Sequence, residues 1–411
     1  MTRPRRVVLV HYTAPSVLGG VERIMAVHAA ALRDAGDDVA IVAGRGTLPR
    51  ALRGIRLVRI PELDSRHPMV LRNFGALARG GVPAAHAELV ARIRRRMRTI
   101  VDGADRVVVH NAFTLHKNPA LTEALAGLAA ERRGVFIAWT HDLAWTDAQY
   151  AGQLHPGRPW SLFATALEGV RYVAVSEKVA DELADLTGIA RREVEVVPNG
   201  IDPATTLGLS AAGARVAREL RLFEADPLLL LPVRMTRRKR IEVAIDALAL
   251  LRQAHRNAAL VVTGGPGAHN PANAAYATEL SAQAGPGVHL LHERGGRIGD
   301  RLVSDLYALA DALVLPSANE GFGIPLLEAA VHRLPIICSD IPALRAIGGP
   351  DATYVPPDAD AAALARAIAA RLADDPIARL HRRARAAAWP RILADCVLPV
   401  IHMNAPARAR R

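Results

Sequence analysis

Short apolar runs rich in β-branched residues alternate along this chain with longer stretches whose apolar positions recur at helical spacing. "RRVVLVHY" (5–12) precedes the helix-like "GVERIMAVHAAALRDAG" (20–36) and then "DVAIVAG" (38–44). "DRVVVHN" (105–111), "GVFIAWTHD" (134–142) and "VRYVAVSEK" (170–178) continue the series, and "EVEVVPNGIDP" (193–203) ends a strand in a Pro-Asn-Gly turn. After a polar, alanine-rich stretch the pattern restarts: "PLLLLPVRM" (227–235), "AALVVTGG" (258–265), "GVHLLHE" (287–293), "DALVLPS" (311–317) and "LPIICSD" (334–340). Helix-like segments such as "IEVAIDALALLRQA" (241–254) lie between them. Runs apolar on both faces and separated by helices predict parallel sheets in α/β domains. Two successive series predict two such domains, 1–203 and 204–385. Residues 386–411 then read as a helix after Pro390 that packs back toward the first domain, ending in an unstructured "APARARR".

The length of 411 residues fits two domains of roughly 200 each. No apolar run reaches the roughly 20 residues that cross a bilayer. The basic-then-apolar start "MTRPRRVVLVHYTAPS" is too short in its apolar part for a signal peptide and reads as a first strand. The two cysteines, Cys338 and Cys396, stand in unrelated contexts. They fit a reducing cytoplasm and give no disulfide or metal framework. The net charge of +12 is carried almost wholly by arginine, with only three lysines, Lys117, Lys178 and Lys239. That bias makes part of the charge compositional drift. Without zinc-finger spacing or an aromatic-rich basic module, nucleic acid is not an expected partner. "ELVARIRRRMRTIVDG" (88–103) sets five arginines among apolar residues. It reads first as a solvated helix; the alternative is peripheral contact with the anionic inner face of a membrane.

In open α/β sheets ligands bind beyond the carboxyl ends of the strands, so candidate chemistry belongs directly after them. "DALVLPS" runs into "ANEGFGIPLLEA", with Glu320 and Glu328 on either side of Gly321, Phe322, Gly323 and Ile324. The glycines let backbone N–H groups approach a ligand, and the helix that starts near Ile324, with Pro325 suited to its first position, favours an anion at its N-terminus. Glu320 precedes that helix and Glu328 falls in about its first turn. A phosphate would sit by the glycines and the two carboxylates would serve hydroxyl groups, which describes a nucleotide sugar. The plainer readings are a surface position for Glu320 and a charge complementing the helix dipole for Glu328. After another strand, "PVRMTRRKRIE" places Arg234 and Lys239 where cations can clamp a diphosphate. The plainer reading is a basic loop, but this lysine persists in a chain that otherwise uses arginine.

These residues resemble the retaining glycosyltransferases of family 4. Glu320–Gly321–Phe322–Gly323 with Glu328 looks like that family's E-x7-E signature, and Arg234 with Lys239 like its arginine–lysine pair. "GGVERIMAVHAAALRDAGDDVAIV" is similar to its N-terminal GG-x-E loop and helix, and "VVPNGIDP" to the stretch near its interdomain linker. The resemblance covers about residues 7–360. It implies the GT-B fold, two Rossmann-like parallel-sheet domains facing across a cleft, with the donor mostly on the C-terminal domain and the acceptor mostly on the N-terminal one. It implies a hexosyltransferase that moves a glucose- or mannose-type sugar from a UDP- or GDP-linked donor to an acceptor hydroxyl with retention of configuration and without a metal or other cofactor. By the same resemblance Glu320 contacts the transferred sugar, the backbone of Gly321 to Ile324 contacts sugar and phosphate, Glu328 holds the ribose, and Arg234 and Lys239 neutralise the diphosphate.

In the first domain Gly19 and Gly20 precede a helix where phosphates could approach, and His141 and Asp142 follow a strand in "WTHDLAW". The family often has a histidine in this region, which makes His141 a candidate beside the sugar; His110, at another strand end, ranks below it. Ser176 and Asn199–Gly200 line the cleft or are simply turn chemistry. Where the family often has a glycine near the base, this chain reads His292–Glu293–Arg294, which adds Arg294 to the donor-binding candidates and leaves UDP and GDP open. Glycan, glycolipid and small solute all remain as acceptors. The rival functions are a GT-B nucleotide-sugar epimerase and a degenerate nucleotide-sugar-binding protein. A nicotinamide dehydrogenase would need G-x-G-x-x-G after the first strand, which "HYTAPSVLGG" lacks.

Overall fold

The computed structural model describes residues 3–267, 270–295 and 298–403. The chain forms two compact units, one of residues 1–199 with 390–411 and one of residues 200–389. The first holds seven strands: β1 (Arg6–Val10), β2 (Asp38–Ala43), β3 (Arg56–Arg59), β4 (Arg106–His110), β5 (Phe136–Thr140), β6 (Val170–Ala174) and β7 (Val194–Val196). The second holds six: β8 (Leu228–Leu231), β9 (Ala259–Val262), β10 (Val288–Leu290), β11 (Ala312–Leu315), β12 (Ile336–Ser339) and β13 (Thr353–Val355). The sheet orders are β3-β2-β1-β4-β5-β6-β7 and β10-β9-β8-β11-β12-β13. Every pairing between neighbours is parallel. This is the Rossmann-like α/β architecture of the GT-B class, present twice.

The strands explain why the sequence pattern was readable. β4, β5, β8, β9 and β11 are buried at every residue, as a sheet covered by helices on both faces requires. The two strands not anticipated from the sequence, β3 and β13, are edge strands. β3 has no fully buried residue and β13 has one, so neither shows a continuous apolar run. In each sheet the strand order reverses once, between β1 and β4 and between β8 and β11. These are the switch points at which a crevice opens beyond the carboxyl ends of the strands.

The basic helix spans Ala85–Val101, and its apolar stripe of Leu89, Ile93, Met97 and Val101 is buried in the core of its unit. Arg92 and Arg96 reach the buried Glu62 at 2.5 and 2.8 Å, while Arg94 and Arg98 pair with Glu131. The helix therefore spends this apolar stripe on its own core, and four of its five arginines are partnered. These pairings are what the solvated-helix reading expects. Among the described residues no helix is long and apolar enough to cross a membrane.

Chain residues 390–403 belong to the first unit. Arg106 donates to the carbonyls of Ile401 and Met403 at 3.1 and 2.6 Å, and His402 Nε2 lies 2.7 Å from Asp37 Oδ2. The "APARARR" tail lies outside the described residues.

The last helix wholly within the second unit, Pro376–Ala386, is fastened by a buried ion pair. Arg385 bonds Asp311 at the foot of β11 and also donates to the Leu309 carbonyl at 3.0 Å; both charged side chains are almost fully buried. Burial works to raise the Asp311 carboxyl, but His381, Arg385 and the Leu228 N–H hold it below the usual range. Replacing Arg385 by Met strands that carboxylate. The expected cost is about 3–5 kcal/mol of unfolding free energy, measured by urea denaturation of the second unit's transition.

Candidate active site

In the second unit the site is built on the β8–β11 switch point. β8 ends at Leu231, and the chain passes through Arg234 into a 3-10 turn, Arg237–Lys239, before the helix Ile241–Ala254. This loop is pinned to the one after β9: Met235 N donates to Gly265 O at 3.0 Å, and a Cβ on Gly264 would lie 2.4 Å from Val233 O and 2.7 Å from Arg234 Cα. Only glycine permits that approach. Arg234 is exposed and makes no ion pair among the described residues, whereas Lys239 is buried.

Glu320 follows β11 and turns inward, its side chain only 7% exposed. Its carboxylate takes Lys239 Nζ and the hydroxyl of the fully buried Ser317, at 2.7 Å, on one oxygen; Arg238 stands 3.8 Å from the other. The Arg238 carbonyl accepts from Ala318 N at 2.8 Å, which ties the two loops together. A buried carboxylate is tolerable only with such partners. Lys239 and Glu320 are thus one ion pair in the free protein, a fact the sequence did not show.

Gly323 caps the helix Ile324–Val331 with φ +103°, and a Cβ there would lie 2.7 Å from Leu344. Gly321, in contrast, has no atom within 4 Å of its Cβ position, and Phe322 and Ile324 are both 59% exposed. The helix begins at Ile324, so Pro325 is its second residue, not its first, and Glu328 lies beyond the first turn. That weakens the dipole reading of Glu328. Instead Tyr307, buried on the helix Asp300–Leu309, donates to Glu328 Oε2 at 2.7 Å and holds an otherwise exposed carboxylate in place.

Arg294 stands apart from this group. It pairs with Glu219 and lines a cavity of about 760 Å³ with Arg215, Arg301, Ser210 and Leu291. Gly296 lies outside the described residues.

In the first unit a polar cluster occupies the carboxyl edge of β1, β4 and β5. Glu22, in the first turn of the helix Gly20–Asp34, folds back to accept from Thr13 Oγ1 and lies 3.6 Å from His11 Nε2. Burial works to raise the Glu22 carboxyl, but hydrogen bonds with His11 and Thr13 and to its own backbone N–H bring it down to about 2. This arrangement changes the role expected for Gly19. Its backbone is extended, and a Cβ would fall 2.0 Å from Glu22 Oε2. Gly19 therefore lies against the Glu22 carboxylate, while the Cβ position of Gly20 is open, with no atom within 4 Å.

His141 follows β5 and is held by Asn111, the residue after β4. Asn111 Oδ1 accepts from the backbone N–H of His141 at 2.8 Å and of Asp142 at 3.1 Å, and its Nδ2 donates to Asp142 at 2.8 Å. Asn111 has φ +59°, a conformation asparagine adopts more readily than most residues. His141 Nε2 lies 3.2 Å from Nδ1 of the fully buried His110, and behind them His28 packs against Trp139, ring centroids 4.6 Å apart. Burial, then the nearby His11, lowers His141 to about 4 against an opposing pull from Glu22; burial likewise lowers His28 to about 3 and His110 well below its ordinary value. All three are neutral at pH 7.

Ser176 is helix-capping chemistry, accepting from Val179 N at 3.2 Å, and a Cβ at Gly200 would meet the Trp389 ring at 2.7 Å. Among the described residues no group of three His, Cys, Asp or Glu side chains is arranged to hold a metal.

Comparison with known proteins agrees with this architecture. Residues 18–205 match the family described as Glycosyltransferase Family 4, and residues 215–389 match Glycosyl transferases group 1. The chain belongs to the group 1, family 4-type glycosyltransferases, a class with the GT-B fold that works from nucleotide sugars. Among curated relatives, a glycogen synthase of Mycobacterium tuberculosis is 29% identical over 401 residues, covering 91% of this chain and 86% of that protein. A D-inositol 3-phosphate glycosyltransferase of Salinispora tropica is 31% identical over 304 residues, covering 68% of this chain and 62% of that protein. A solved glycosyltransferase from Rickettsia africae aligns over 98% of this chain and 100% of its own at 19% identity and a TM-score of 0.40.

Two outcomes follow from the geometry. Lys239→Ala leaves Glu320 buried without its cation and should lower unfolding free energy by about 3 kcal/mol. Adding Glu320→Gln should restore at least about 1 kcal/mol of that loss in denaturant titrations, since the orphaned charge is gone. The histidines set the acid side. Their folded pKa values lie below the unfolded value near 6.5, so the unfolded chain takes up protons first as pH falls. Stability should be full above about pH 6.5 and decline toward pH 4, with part of that slope removed in His141→Asn. Melting temperatures across that range provide the check.

Proposed function

We propose that this protein transfers a glucose- or mannose-type hexose from a UDP- or GDP-linked donor to an acceptor hydroxyl, with retention at the anomeric carbon and without a metal. The observation that carries the reading is the buried Glu320 carboxylate, held by Lys239 and Ser317 at the β8–β11 switch point beside the open Gly321. Such a carboxylate has the fixed direction needed to accept hydrogen bonds from sugar hydroxyls. Arg234, with no ion-pair partner among the described residues, and Lys239, with ammonium hydrogens beyond the one on Glu320, are the candidates for the diphosphate. Glu328, steadied by Tyr307, is the candidate for the ribose.

The chemistry follows from where charge develops. Cleavage of the anomeric C–O bond puts positive character on the sugar and negative charge on the diphosphate. Fixed cations and the N–H groups around Gly321 to Ile324 stabilise the leaving group in proportion to that charge. With the acceptor attacking on the leaving group's own face, a diphosphate oxygen takes the acceptor proton, and no second carboxylate is required as nucleophile. Within the first unit His141 and Gly20 are the candidate binding residues, and in the second Arg294 is the candidate for the base. The two relatives are named for glycogen and for inositol 3-phosphate, so both a growing glucan and a phosphorylated polyol enter the acceptor screen.

A thermal-shift titration with UDP, GDP, ADP and their glucose or mannose conjugates tests the donor site. Ligand at 100 times its dissociation constant should stabilise by about 2.7 kcal/mol, several degrees in melting temperature for domains of this size. Arg234→Met should lose that shift while keeping the melting temperature of the free protein, because Arg234 carries no structural pair. Activity of Arg234→Met should fall by about 100- to 1,000-fold in kcat. No shift with any of these nucleotides sinks the donor reading.

A further inference from the structure

The histidine pair at the ends of β4 and β5 carries an inference that rests on His141 being a site residue. His110 Nδ1 and His141 Nε2 lie 3.2 Å apart, and a single proton sits between them. Two arrangements are available to the neutral pair. If His141 Nε2 carries the shared proton, the remaining proton of His110 must be on Nε2, an atom that is buried and has no hydrogen-bond partner among the described residues. If His110 Nδ1 carries it, that buried atom is a bare lone pair, and the remaining proton of His141 moves to its own Nδ1. A buried N–H without an acceptor is rare, and Trp139 Nε1 beside this pair is already a buried N–H with no hydrogen-bond partner among the described residues, so the second arrangement, which adds no further such donor, is favoured.

We propose that His110 is a positioning residue which fixes His141 as the Nδ1–H tautomer, so that His141 offers its substrate a neutral hydrogen-bond donor and no basic lone pair. The surroundings suit that assignment. The nearest anion, Glu22, is engaged by Thr13 and His11, and His11 Nδ1 is spent on the His110 carbonyl at 3.0 Å. Asp142 is held by Asn111, and Asn111 also fixes the backbone that carries the His141 ring. His28 and Trp139 close the buried side. Among the described residues no carboxylate bonds the His141 ring, and burial outweighs the more distant pull of Glu22 toward the charged form. The open Nδ1 has no hydrogen-bond partner among the described residues. It is matched to an acceptor such as a sugar hydroxyl or ring oxygen, and unsuited to removing a proton from an acceptor alcohol.

Histidine-selective 15N NMR of the full chain, without nucleotide, reads the tautomer directly; the His141 signals are those missing from His141→Gln. The expected result is a proton on His141 Nδ1 throughout about pH 6–8. In His110→Leu, which cannot donate, His141 should move toward the Nε2–H form that free imidazole side chains prefer. His110→Asn, whose amide N–H stands where Nδ1–H stood, should restore Nδ1–H. A wild-type His141 protonated on Nε2, or a tautomer indifferent to His110→Leu, overturns the proposal. Should His110→Leu not fold, His110→Asn decides alone: Nε2–H there overturns it. Because the reading needs no ligand, its failure is separate from failure of the nucleotide titration.

Discussion

A parallel sheet sends every strand out of the core at the same edge, and this one constraint arranges both candidate sites. The strands are sealed on both faces, so the first polar residues after them emerge only partly hydrated. Where the strand order reverses, at β1/β4 and β8/β11, the chains on either side turn away from each other and leave room. His11, His110 and Asn111 come out beside one such gap, Arg234 and Glu320 beside the other. Each buried polar group must then find a partner across the gap, because water cannot serve it. Lys239 answers Glu320, Glu22 answers His11, and Asn111 answers the loop of His141. The polar networks are consequences of the topology as much as of the chemistry they later perform.

The glycines show how tightly those edges are packed and where they are not. Gly264 and Gly323 are demanded by the protein itself, one by the backbone of Arg234 and the other by a left-handed cap against Leu344. Gly19 sits against the carboxylate of Glu22, the end of a flexible side chain that Thr13 and His11 hold there. Gly20 and Gly321 have no such demand on them; each borders open space at the start of a helix. A side chain there would cost the fold little, and the open space leaves a ligand able to approach the backbone. The apparent pairs Gly19–Gly20 and Gly321–Gly323 therefore each divide into one packed member and one that leaves room.

Much of this was legible in the sequence, for a physical reason: doubly covered strands write continuous apolar runs, and the residues immediately after them are local to the run. Glu320, Lys239, Arg234 and His141 could be picked out because each lies within a few residues of a strand end. What could not be read were relations between distant segments. Nothing in "TRRKRIE" says that Lys239 is already bonded to a carboxylate 81 residues away, and nothing around Glu328 points to Tyr307. The arginines of 88–103 looked like a basic surface because Glu62 and Glu131, which partner them, sit on other elements. Asn111 was overlooked because its signal, a left-handed backbone after a strand, is conformational. Its one sequence trace is an asparagine following "VVVH".

The two units also differ in how they handle charge, and the difference suits the proposed reaction. The C-terminal site is ionic: Glu320 is compensated by Lys239, while Arg234 stands uncompensated and Arg238 is only loosely associated with the carboxylate, so the loop carries surplus positive charge. That surplus is what a departing diphosphate requires. In the N-terminal site burial keeps His110 and His141 unprotonated, and the Glu22 carboxylate is already engaged by Thr13 and His11. Neutral histidines that offer hydrogen bonds can hold sugar hydroxyls without competing for the proton transferred during the reaction. If the diphosphate is both leaving group and base, an ionised base in the N-terminal unit would be redundant, and a cationic histidine would lower the basicity of any nearby acceptor. In the proposed reaction the excess cation of the C-terminal loop is what places the negative charge, and then the proton, on the leaving group.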